Sequence, residues 1–151
     1  MDKQDIEKLL AEGRIIQFKP QGYSMYPLFV PGRDEAIVAP AEVSKLRRGD
    51  VVLYRRDGSI LVLHRIWKRK GDQFYLVGDN QTEIEGPLRP DQMKGILIGL
   101  RRNGRHISTK NVIYRTLLNI WLFLRPLRPA ISGVAAAAKR MFKVLFYFRR
   151  E

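Results

Sequence analysis

The chain of 151 residues contains no cysteine, and that absence removes a disulfide scaffold, thiol catalysis and cysteine-ligated zinc together. Histidine is scarce as well. With only His64 and His106, no multi-histidine metal centre can be assembled, and no metal or other cofactor is expected. No apolar run reaches the ~18 residues needed to cross a bilayer as a helix. The uncharged stretches of the tail, residues 116–124 and 129–138, are about half that length. The start of the chain does not read as a secretory signal. Residues 1–13 suggest a short amphipathic helix, with Ile6, Leu9 and Leu10 on one side and charges on the other. Acids are rare at the far end: residues 110–151 hold nine bases and one acid, Glu151. That stretch carries a net charge of +8 and leaves +5 of the total +13 for everything before it.

What is present is a globular composition, 45% hydrophobic, on a chain of single-domain size that can bury a core. β-Branched and aromatic runs at residues 14–19, 34–39, 50–56, 59–68, 73–77, 93–102 and 106–108 read as strands separated by Pro, Gly and charged breaks. Asp57-Gly58 and Asn103-Gly104 are two-residue hairpin signals. So many short strands predict a mainly β fold: a curled antiparallel sheet or partial barrel spanning residues 1–109, with a short N-terminal helix. The remainder, residues 110–151, reads as a basic tail of two amphipathic helices over residues 112–124 and 130–148, broken by Pro126 and Pro129. Cationic charge concentrated in the most apolar quarter of the chain points to an anionic lipid surface, and the alternative is packing on the domain or a partner. No nucleic-acid-binding motif is visible and none is expected to bind.

Three segments carry candidate chemistry. The first, Gly22-Tyr23-Ser24-Met25-Tyr26-Pro27, sets a serine in a tight Gly/Pro turn, which pushes its hydroxyl outward beside backbone N–H groups. The second, Gly49-Asp50-Val51-Val52-Leu53, leads through a hairpin to Leu61-Val62-Leu63-His64, placing a histidine on an apolar strand. An unperturbed imidazole titrates near pH ~6.5 and is a competent base around neutrality. The third, Leu76-Val77-Gly78-Asp79-Asn80 continuing to Glu83 and Glu85, is a strand ending in an acidic loop.

In this order the segments resemble the signal peptidase I family and its relatives, the LexA-type self-cleaving repressors. The matching motifs are Ser24-Met25-Tyr26-Pro27, the Gly49–Leu53 strand, the base at His64 and the loop Gly78-Asp79-Asn80, and the resemblance spans residues 22–99. Histidine at the base position resembles the endoplasmic-reticulum and archaeal members, where most bacterial members carry lysine.

The resemblance implies a curled β fold and a serine endopeptidase that cleaves signal or leader peptides bound as an extended strand. In it Ser24 is the nucleophile, His64 the general base, and Gly22, Tyr23, Met25 and Leu63 the oxyanion and substrate-binding positions. A carboxylate orients the imidazole in histidine-type members. The family's aspartate position, six places after Asp79, falls on Glu85, and Asp79 and Glu83 compete for the role. Glycine at 22 departs from the serine that many bacterial members carry there, leaving backbone N–H groups for the oxyanion. The other departure is the N-terminal membrane anchor that such family members usually carry and that is not expected here. The basic tail is the expected tether, which implies a peripheral membrane location on an undetermined side. A cytoplasmic enzyme maturing a ribosomally made peptide, or a non-catalytic module of the same fold, is the alternative.

Overall fold

Short β-branched and aromatic runs, punctuated by glycine, proline and charged pairs, fold into eight antiparallel strands. The computed structural model describes residues 3–58, 60–127, 133–134 and 140–141. Its strands are β1 (Ile16–Phe18), β2 (Asp34–Pro40), β3 (Val51–Arg55), β4 (Leu61–Lys70), β5 (Gln73–Val77), β6 (Glu85–Leu88), β7 (Met93–Arg102) and β8 (Arg105–Ser108). They form one open sheet in the order β1-β2-β7-β3-β4-β5-β6, with β8 paired to β7. The expected mainly β, curled-sheet architecture is therefore what the chain adopts.

Alternation along β3 explains how the sheet buries both faces. Val51 and Leu53 join one apolar cluster, while Val52 and Tyr54 join the other. The first cluster is closed by α1 (Lys3–Ala11), which contributes Ile6 and Leu10, and by Met25 and Phe29 from the segment after β1. The second gathers Ile66, Phe74, Leu76, Leu88 and Met93. Opposite each other on β3 and β4 stand Val52 and His64, so the histidine projects on the Tyr54 side of the sheet. Its neighbour Arg65 projects on the other.

Two details differ from the sequence expectation. The first strand is shorter, at Ile16–Phe18, and an unexpected strand, Glu85–Leu88, begins at the last residue of the expected acidic loop. Gly86 and Pro87 weaken that strand signal, yet at a sheet edge a proline leaves no ladder bond unmade. Pairing Phe74 with Leu88 and Leu76 with Glu85 supplies what the local sequence lacks.

The chain then enters α2 (Val112–Phe123), capped by the Asn111 side chain, which accepts from the Ile113 and Tyr114 amides. Leu122 is buried against the domain, and Tyr114 packs on the first cluster. The second expected tail helix, residues 130–148, lies outside the described residues except for 133–134 and 140–141. Among the described residues no helix is long and apolar enough to cross a membrane.

Candidate active site

Ser24 sits in a turn fixed from several sides. Gly22 adopts φ +83°, a left-handed conformation that a side chain would strain. The Tyr26 amide donates to Tyr23 O (3.1 Å) and the Phe29 amide to Met25 O (2.9 Å), winding the segment past the serine. From the third motif, the Asn80 amide donates to Ser24 O at 2.7 Å. Gly78 makes this approach feasible, because a Cβ there would stand 2.7 Å from Ser24 O. Further along, the buried Asp34 carboxylate accepts from the Val30 amide and from Arg33 and Arg102, and Arg102 also donates to Leu28 O. Burial alone would raise the Asp34 carboxyl, but those hydrogen bonds outweigh it and hold it well below the usual carboxylate range.

Ser24 and His64 line the same cavity, of about 470 Å³. Its walls come from the chain leaving β1, from the Ser24 turn and from the β3–β4 hairpin, with Ile6 of α1 and Phe29 on its apolar side. Gly22, Met25 and Leu63 also line it, while Tyr23 is 66% exposed and lies outside the lining. Gln81, Arg56 and Ile60 border it as well and carried no expectation.

His64 is only 4% exposed. Its Nδ1 lies 3.2 Å from the Tyr54 hydroxyl, and that hydroxyl donates to Glu85 Oε2 at 2.6 Å. A phenol has one proton to give. With it committed to the carboxylate, the tyrosine oxygen serves His64 as an acceptor, so the imidazole proton resides on Nδ1. Nε2 is then unprotonated, the state a base requires. Direct contact between ring and carboxylate is long, 3.9 Å, so the link runs through Tyr54.

Charge around this chain is balanced. Arg56 grips Glu85 with two hydrogen bonds, of 2.8 and 2.6 Å. Burial would raise the Glu85 carboxyl, but the bonds from Arg56 and Tyr54 prevail and hold it below its ordinary value. Burial pushes the His64 imidazole down to about 4; Glu85 opposes that shift and Arg56 reinforces it. The histidine is therefore neutral at ordinary pH. Burial and the Glu85 carboxylate raise the Tyr54 hydroxyl, which stays protonated.

Asp79 has a different partner. It is fully buried and bound side-on by Arg65, through Nε at 2.7 Å and Nη2 at 2.6 Å. Arg65 also donates to Gly49 O at 2.8 Å, tying the second and third motifs together. Burial works against the Arg65 charge, and Asp79 more than restores it. On the far side Trp121 of α2 donates its indole N–H to Asp79 O at 2.7 Å. Glu83, the third acidic candidate, is exposed.

The structure thus sets Ser24 and His64 on one cavity and links Glu85 to the ring, while Asp79 stands apart on Arg65; Tyr54, Arg56 and Arg65 carried no expectation from the sequence. Tyr54 reads as one more apolar strand residue, and its hydroxyl partners are 10 and 31 positions away. The available signal was the strand period, which aligns Tyr54 with Val52 and hence with His64 across the ladder.

Fold and cavity together define an open, mainly β domain carrying a serine and a buried neutral histidine on one cleft. Comparison of the chain with models of known families, with curated proteins and with solved structures finds no match. Function has to be read from the site itself.

Proposed function

We propose that the chain is a serine endopeptidase that cleaves peptides bound in extended form along the Ser24–His64 cleft, with signal or leader segments as its substrates. The carrying observation is that Ser24 and His64 line one cavity while the ring is held by a tyrosine–glutamate pair. Ser24 Oγ attacks the scissile carbonyl as its proton passes to His64 Nε2. The resulting imidazolium keeps its Nδ1–H on the Tyr54 oxygen, with the Glu85 charge beyond it. Backbone N–H groups of the glycine-led turn receive the oxyanion. Collapse of the tetrahedral intermediate breaks the C–N bond, and Nε2 returns the proton to the leaving amine. Water, deprotonated by the same nitrogen, then releases the acyl group from Ser24.

In this reading Glu85 is the orienting acid and acts through Tyr54, and Asp79 holds the cleft's frame through Arg65. The resemblance to signal peptidases favours small residues immediately before the scissile bond. The test pairs Ser24→Ala with His64→Ala on a leader-peptide substrate, with folding checked by circular dichroism. Both variants are expected to be folded and inactive. Cleavage by folded Ser24→Ala at the wild-type rate refutes the proposal.

A further inference from the structure

The helix that joins the β-domain to the basic tail has apolar residues on both of its sides. One side of α2 packs on the domain through Tyr114 and Leu122, and its Trp121 is bonded to the Asp79 carbonyl. On the other side Val112, Ile113, Thr116, Leu117, Ile120 and Phe123 fall within an arc of roughly 140° at the helical repeat. None of these six is charged. Ile113 is 72% exposed, Leu117 57%, Ile120 52% and Phe123 79%. A helix that is apolar all round is a helix with both sides covered.

Charge identifies the cover. Between residues 110 and 150 the chain has nine lysines and arginines and no acidic residue. Lys110 and Arg115 belong to this series and stand exposed at the start of α2. A protein partner matching the apolar strip would need a dense acidic rim. An anionic bilayer offers both properties on one flat surface, with acyl chains for the apolar side chains and headgroup charge for the bases.

We propose that the outer face of α2 lies on an anionic membrane surface, with Ile113, Leu117, Ile120 and Phe123 entering the acyl boundary. The attachment is peripheral. It fixes the β-domain to the bilayer through Trp121 and the Asp79 loop, whose next residue, Asn80, is bonded to Ser24 O. The cleft is thereby held at the lipid surface. This inference concerns α2 alone and stands whether or not Ser24 proves catalytic.

The experiment is co-sedimentation of the full chain with phosphatidylcholine vesicles, with and without phosphatidylserine, alongside the double variant Leu117→Gln/Ile120→Gln. Both substitutions sit at exposed positions and use a good helix former, so a matching thermal melt confirms the fold. Wild-type protein is expected to bind the anionic vesicles and release them in high salt, and the double variant to bind at least about tenfold more weakly. Unchanged binding by the variant overturns the proposal, because the basic tail would then act without α2. Equal binding to neutral vesicles overturns the anionic assignment. No vesicle binding, with a wild-type dimer in light scattering that the variant abolishes, assigns the face to a second copy instead.

Discussion

Lowering the pH from 7 to 5 should destabilise this fold through one side chain, His64. In an unfolded chain an imidazole titrates near 6.5, whereas burial holds His64 in the folded protein down to about 4. Between those values the unfolded state binds more protons than the native state, so stability rises with pH. The full contribution, roughly 3 kcal/mol, is present above about pH 6.5 and lost as the pH falls through the interval. By pH 5 about 2 kcal/mol should be gone. Glu85 and Asp34 are also held below their ordinary values, but their contributions disappear at lower pH, through the carboxylate range. Urea unfolding followed by far-ultraviolet circular dichroism at pH 7 and pH 5 measures the loss. His64→Gln, which cannot titrate, should lose about 2 kcal/mol less than wild type over the same interval. The same ring should keep Nε2 unprotonated, so kcat/KM on a leader peptide should stay flat from pH 7 to about 5. Equal losses in wild type and variant, or a His64 proton resonance titrating near 6.5, would refute the burial argument.

Two further outcomes separate the roles of the surrounding groups. Tyr54→Phe removes the bridge between His64 and Glu85, and kcat should fall on the order of 10²-fold with KM retained, since the ring loses its orienting contact while the cleft keeps its shape. Steady-state kinetics decide it, and an unchanged kcat would show that the hydroxyl orients nothing. Asp79→Asn leaves Arg65 buried beside a neutral group, which should cost about 3–5 kcal/mol in urea unfolding. A loss under about 1 kcal/mol would mean that the pair is not the frame described here.

The fold was legible wherever a local rule decided the outcome. Asp57-Gly58 and Asn103-Gly104 joined the strand pairs they were expected to join, with Asn103 at φ 49° and Gly104 at φ 78°. β7 was found at its full length because its apolar run Ile96-Leu97-Ile98, continued at Leu100, is bounded by the Asn103-Gly104 turn signal. β6 was not, because Gly86-Pro87 speaks against a strand and only the exposed edge of β5 makes one. The site divides in the same way. Ser24 and His64 are marked by their own short motifs. Motif spacing points to Glu85 over Asp79, but it does not show which arginine reaches which carboxylate. Arg65 is 14 residues from Asp79, and Arg56 is 29 from Glu85. No motif spacing encodes those pairings, which the curl of the sheet creates.

The strand order has a consequence for how the molecule wears heat. Ser24 follows β1 at one margin of the sheet, His64 rides on β4 in its interior, and Glu85 opens β6 at the opposite margin. Edge strands of three and four residues are the first parts of such a sheet to fray. Ser24 and Glu85 therefore each hang on a short margin of the fabric, and warming should loosen both before the strand that carries His64.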